Sequence, residues 1–147
     1  MDADLDVASG LIHGQVTGVI LRTFYEVYNE LGGGFPEAVY QKSMAMALTQ
    51  VGLRVAAEVP VSVEFRGVVV GDFRVDLEVN NCVFLELKAV SALDKFHDSQ
   101  ILNYLRATKY EVGLLLNFGP KPQFRRFVLE NKTKLIRVDP RVSAVEL

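Results

Sequence analysis

The sequence predicts an α/β fold in which one mixed β-sheet is flanked by helices. Three observations lead there. The first third of the chain carries apolar residues at helical spacing, and the middle changes to strand-like alternation. A last helical segment then separates that middle from a short apolar run of strand length.

The 147 residues, half of them apolar, suffice for one domain with a real core. Charges of both signs are interspersed, which argues against global disorder. The formal net charge is only -2, without the basic excess of a strong non-specific nucleic-acid binder. A local basic patch can still coexist with an acidic metal site. Cys82 is the single cysteine, so no intrachain disulfide forms, which fits a reducing compartment. The acidic start MDADLD lacks the basic region of a secretory signal, and no apolar run approaches the length of a membrane span. A cytoplasmic protein without a membrane partner is the expectation. Residues 1–15 read as an N-terminal extension, 16–138 as the domain and 139–147 as a tail.

Val16, Val19, Ile20, Phe24, Val27 and Leu31 predict a first helix over 16–31, with Thr17 an alternative cap. Gly32-Gly33-Gly34 ends it. Pro36 suits the first turn of a second helix, where its missing N–H is harmless, and Gly52 terminates that helix after about Gln50. Short strands follow at 53–58 and 61–65, separated near Pro60, and another begins at 68–70. Residues 73–79 and 83–88 read as a hairpin around Asn80-Asn81. A helix is expected over 94–107, a buried strand over 112–117, and closing strands over 124–129 and 135–138. The chain should fray from Asp139-Pro140 onward.

The hairpin register follows from arithmetic. A two-residue loop would pair Val79 with Cys82 and leave the two strands with mismatched faces. A three-residue loop pairs Val79 with Val83, Leu77 with Leu85 and Val75 with Leu87, so that all six form one apolar face. The same register sets Asp76 opposite Glu86 on the other face, with Lys88 two residues further on. The three-residue loop is therefore preferred to the commoner two-residue one.

Two adjacent carboxylates are unfavourable unless a cation, a proton or a basic group compensates. Asp76 and Glu86 with the Leu87 carbonyl and waters form an ordinary oxygen-only site for Mg2+ or Mn2+. Lys88 would then orient an attacking water or stabilise charge on a phosphate. The alternative is that Lys88 simply neutralises both acids on a solvated face. His13 and His97 are far apart in sequence and Cys82 has no cysteine nearby, so zinc is poorly supported. No Walker-type phosphate loop is present, since Gly32 to Gly34 follow a helix.

The segment Gly34-Phe35-Pro36-Glu37-Ala38-Val39-Tyr40 resembles the motif of the small bacterial GxxExxY proteins, which belong to the PD-(D/E)xK nuclease-like superfamily. Asp76, nine intervening residues and Glu86-Leu87-Lys88 are similar to the superfamily core. Gln100-Ile101-Leu102-Asn103-Tyr104 resembles a QxxxY element of nucleases related to recombination exonucleases, and Gly113 to Gly119 resembles the family's closing core strand. The likeness runs from about Val16 to Val128. It implies a restriction-endonuclease-like core, with Asp76 and Glu86 as the principal metal ligands and Lys88 as the signature lysine. Glu37 would hold metal directly or through water, and Gln100 and Tyr104 would stand beside the site. Apart from the resemblance, Glu37 at a helix start is explained by the helix dipole. Gln100 and Tyr104, four apart on one helix face, are explained by bracing the helix against the sheet.

The resulting expectation is a magnesium-dependent nuclease hydrolysing phosphodiester bonds of DNA or RNA. The alternative is an inactive nuclease-like module that binds nucleic acid or assembles with protein, as a homodimer or with another partner. Arg54, Arg66, Arg74, Lys95, Arg106, Lys109, Lys121, Arg125 and Arg126 frame a nucleic-acid path only if folding gathers several of them.

Overall fold

The computed structural model describes residues 11–134. Helices α1 (Gly14–Leu31) and α2 (Glu37–Gln50) lead into a meander of β1 (Val55–Phe65), β2 (Val68–Val79) and β3 (Val83–Lys88). Helix α3 (Lys95–Arg106) crosses to β4 (Val112–Phe118), β5 (Pro122–Val128) returns beside it, and a 3-10 turn follows at Asn131–Thr133. The strands lie in chain order. Strands β3 and β4 are parallel and the other neighbours antiparallel, so the sheet is mixed as expected. Parallel neighbours need a long crossover, which α3 supplies.

Both faces of the sheet centre are covered. Ile20, Phe24, Tyr40, Met44 and Leu48 of α1 and α2 pack on Leu77, Val79, Leu85 and Leu87. Tyr104 and Leu105 of α3 pack on Phe84, Val61 and Val75 from the opposite side. This double cover explains why β4 is buried along its whole length and reads as an apolar run rather than an alternation. Helix α3 comes close enough that a Cβ on Gly113 would lie 2.7 Å from Ile101 Cδ1.

Several boundaries differ from expectation. The first helix starts at Gly14, and Thr17 lies inside it, its hydroxyl bonded to the Gly14 carbonyl rather than capping. Pro36 is the cap residue of α2 rather than part of its first turn. The expected breaks at Pro60 and Gly71 do not occur. Strand β1 is continuous and lies at the sheet edge, where a missing N–H is tolerated. It forms a long hairpin with β2 through Arg66 and Gly67, whose φ angles of 52° and 80° suit a two-residue turn. The final strand expected at 135–138, the tail and most of the N-terminal extension lie outside the described residues. Among the described residues no helix is long and apolar enough to cross a membrane.

The three-residue loop between β2 and β3 is present. Val79 pairs with Val83 and Leu77 with Leu85, and Asn80 and Asn81 have φ near 52° and 54°. Asn80 also ties the loop to β1, its side-chain oxygen accepting from the Arg54 amide at 2.8 Å. The single apolar face of six residues is not fully realised. Val75 packs with Val61, Phe84 and Tyr104 under α3, while the other five pack under α1 and α2. The change of side falls at Asp76, where the regular β2–β3 ladder ends.

Candidate active site

The ladder between β2 and β3 is replaced, beyond Leu77 and Leu85, by a reciprocal side-chain clasp. The Asp76 amide donates to Glu86 Oε1 at 3.1 Å, and the Leu87 amide donates to Asp76 Oδ2 at 2.8 Å. Each acid thus binds the backbone at or beside the other. The expected pairing of Asp76 with Glu86 is achieved as proximity, but not as a continued backbone ladder. The clasp fixes both carboxylates where the strands part.

Their environment is costly for negative charge. Glu86 is only 3% exposed. Burial, then the neighbouring Asp76 charge, pushes its carboxyl up to about 8, against the smaller opposing effects of the Asp76 amide and Lys88. Asp76 is also raised, chiefly by burial; the Leu87 amide and Lys88 oppose that shift, and Glu37 and Glu58 add to it. Without a cation, one proton would be held between the acids near neutral pH.

This donor set fits a divalent cation. Asp76 and Glu86 supply oxygens, and a hydrated Mg2+ or Mn2+ needs few protein ligands. Among the described residues, no three His, Cys, Asp or Glu side chains gather into a ready-made metal cage. Glu37 therefore stands outside a close carboxylate trio, although its charge reaches both Asp76 and Glu86. Leu87 turns its side chain into the core.

The loop before Glu37 gives the glycine-rich motif a physical basis. Gly34 has φ 103°, a conformation suited to a residue without Cβ. Tyr40 is fully buried and stacks on Phe118 with ring centroids 4.2 Å apart. Its hydroxyl donates to the Gly32 carbonyl at 2.6 Å and accepts from the Phe35 amide at 3.2 Å. The tyrosine thereby pins the loop that starts α2 and delivers Glu37 as the helix's first residue.

Gln100 and Tyr104 occupy adjacent turns of α3, with Gln100 Nε2 donating to the Tyr104 hydroxyl at 3.1 Å. Burial first, and the charge of Glu86 second, raise the tyrosine's pKa, which connects this pair electrostatically with the acid site. Lys88 ends β3 beside Asn117 of β4. Asn117 is fully buried and clamps the next turn of chain, accepting from the Val90 amide at 3.0 Å and donating to the Val90 carbonyl at 2.9 Å. His97 takes a structural role, completing a capping box with Asp94 at the start of α3.

Two residues not singled out from the sequence join the site. Gln41 lies one turn after Glu37, and its Nε2 donates to the Asp76 carbonyl at 3.0 Å and to Glu58 Oε2 at 3.3 Å. Glu58 has φ 55° within β1, between the pairs Ala57–Leu77 and Val59–Val75, which puts it opposite Asp76. The spacing of Gln41 from Glu37 was an available signal, whereas a glutamate in left-handed backbone has none.

Several basic residues are otherwise engaged. Arg125 contacts Asp98 at 2.7 Å, Arg126 donates to the Ile12 carbonyl, and Arg66 lies over the Phe65 ring. No continuous basic path is assembled from those three.

A profile of the PD-(D/E)XK nuclease superfamily matches residues 14–127, from the start of α1 almost to the end of β5. No curated protein and no solved structure matches the chain. The match covers most of the chain, and the acid pair followed by lysine sits where the sheet opens: the chain belongs to the PD-(D/E)XK nuclease superfamily.

Proposed function

We propose that the protein is a divalent-metal-dependent phosphodiesterase acting on DNA or RNA, and that it falls within the GxxExxY group. The observation that carries this reading is the clasp of Asp76 and Glu86 at the parted ends of β2 and β3, with Lys88 on the same strand. The pinned loop from Gly34 to Tyr40 supports the narrower grouping.

In this reading Asp76, Glu86 and the Leu87 carbonyl hold Mg2+ or Mn2+, and Glu37 contributes through water. The ion supplies water activation and neutralises charge developing on the phosphate. Lys88 orients the attacking water or donates to a phosphate oxygen, while Gln100 and Tyr104 steady the phosphate from α3. Water would add to phosphorus and release a proton to solvent, the bond to one sugar oxygen would break with its electron pair leaving on that oxygen, and that oxygen would take a proton from solvent. Gln41 of α2, itself bonded to Glu58 of β1, holds the Asp76 carbonyl in place. The near-neutral charge and the engaged arginines favour a second reading, a module that binds nucleic acid or protein without cutting.

The test combines calorimetry with cleavage of single-stranded, duplex, flapped and branched substrates. Wild type should bind Mn2+ and cut at least one substrate, and chelator should stop it. Lys88→Ala should keep much of the metal affinity and lose most cleavage. Asp76→Ala should lose both, with folding checked by circular dichroism. Cleavage unchanged by either substitution overturns the site assignment, and nucleic-acid binding without metal-dependent cutting across the panel favours the second reading.

A further inference from the structure

We infer that the hollow between Phe73 of β2 and Phe96 of α3 receives an unstacked nucleobase, so that the strand presented to the acid site is single-stranded there. The inference rests on the phosphodiesterase reading for its link to cleavage, but not for binding.

Phe96 is 75% exposed and Phe73 is 43% exposed, although both are large apolar rings. A hollow of about 250 Å3 lies between them, walled also by Ser99, Gln100, Asn103 and Tyr104. Two of these, Gln100 and Tyr104, are the hydrogen-bonded pair, and the charges of Glu86 and Asp76 reach Tyr104, so the hollow lies on the α3 side of the candidate active site. Phe73 already leans on Tyr104, with ring centroids 5.6 Å apart, which fixes one wall.

The polar groups suit base edges: Ser99 offers a hydroxyl, Gln100 its amide oxygen and Asn103 its amide nitrogen, while Gln100 Nε2 is bonded to Tyr104 and Asn103 Oδ1 to Arg106. A second hollow shares Phe73 and Asn103 and is bordered by Arg106. Arg106 and Lys95 are exposed at the two ends of α3, and neither is paired with a carboxylate among the described residues. An aromatic groove with a cation at each end complements a strand with apolar faces and a phosphate backbone. A duplex could use it only by first unpairing and unstacking a base, which lowers its affinity relative to a single strand. The net charge of -2 also leaves little room for affinity built on phosphate contacts alone.

The test is fluorescence anisotropy of the full chain in chelator, where no metal-dependent cutting occurs. Labelled single-stranded DNA, RNA of the same sequence and the blunt DNA duplex are the probes. At least one single strand should bind more tightly than the duplex, and the better strand identifies the natural sugar. Phe96→Ala should weaken that binding by roughly ten-fold to a hundred-fold, as expected for loss of one stacked base. Duplex binding should not change, and Phe96→Trp should restore the single-strand affinity. The slope of affinity against salt should be the same for all three proteins, because the ring contacts no phosphate. Equal binding of strand and duplex, or an unchanged affinity in Phe96→Ala, overturns the inference. A wild-type dimer that Phe96→Ala dissociates in sedimentation also overturns it, assigning the face to a second copy of the chain. Cleavage that needs Lys88 but ignores Phe96 sinks this inference and leaves the phosphodiesterase reading standing. Stacking without metal-dependent cutting of any substrate in the panel supports it and favours the non-cutting module instead.

Discussion

Replacing Glu86 with Gln separates the cost of burying a charge from the cost of losing a shape. Glutamine retains an Oε1 that can accept from the Asp76 amide, so the clasp survives while the negative charge is removed. The wild-type carboxyl is pushed from 4.5 to about 8, first by burial and then by Asp76. Below the unfolded value both states are protonated and the group costs nothing. Between about 4.5 and 8 the unfolded chain releases the proton while the native one keeps it, so stability falls as pH rises. Above that window both states are ionised and the whole penalty is present. At about 1.4 kcal/mol for each tenfold change in proton affinity, the ceiling is about 5 kcal/mol. Sharing of one proton with Asp76 and relaxation around the site reduce this to roughly 2–3 kcal/mol. In chelator, Glu86→Gln should therefore match wild type at pH 5 and exceed it at pH 8.5, by about 5–10 °C in melting temperature. Adding Mn2+ at pH 8.5 should raise wild type and leave the variant nearly unmoved. Thermal melts across this range decide it. A constant gap between the two proteins from pH 5 to pH 8.5 would show that Glu86 does not carry the predicted proton.

Three further substitutions test the frame around the site. Leu85→Asp places a carboxylate in a fully buried position under α1 and α2, and chemical denaturation should show a loss of at least about 3 kcal/mol; a smaller loss would mean that this face of β3 is not sealed. Gly119→Ala directs a methyl at the backbone carbonyl of Val90, which cannot swing aside as a side chain can, so it should cost about 1–3 kcal/mol, while Gly71→Ala, whose Cβ finds only the Phe73 ring at 3.5 Å, should stay within about 0.5 kcal/mol. Equal stability of the two glycine variants would contradict the close approach of these chain segments.

The clasp shows how the candidate site follows from the sheet itself. Antiparallel strands with a buried face would ordinarily continue their ladder, and β2 and β3 do so only as far as Leu77 and Leu85. Beyond that point the strands separate, and side-chain oxygens replace the missing backbone partners. An acidic side chain bound to a backbone amide is well held, and its remaining oxygen stays available to a cation. The rigidity of this arrangement comes from both sides: Gln41 holds the Asp76 carbonyl, and Asn117 holds the chain just after Lys88.

The sequence by itself determined the layers and the central register. Helical spacing up to Gln50, the double-sided apolar run of β4 and the apolar alternation around Asn80-Asn81 each have one low-energy solution, because burial penalises every other face assignment. That is why the three-residue loop and the nearness of Asp76 to Glu86 were legible before any coordinates. Local pattern did not reveal that β1 runs through Pro60, since only the sheet order makes it an edge strand that tolerates proline. Nor did it reveal Glu58. The two-residue turn at Arg66-Gly67 would align Glu58 with Val75, but a register shift between Val63 and Glu64 moves it opposite Asp76. Residue types record a bulge of this kind only weakly. Tertiary packing likewise decided that Val75 leaves the face of Leu77 and Val79, because the strands part at Asp76 and the chain on either side answers to a different helix layer.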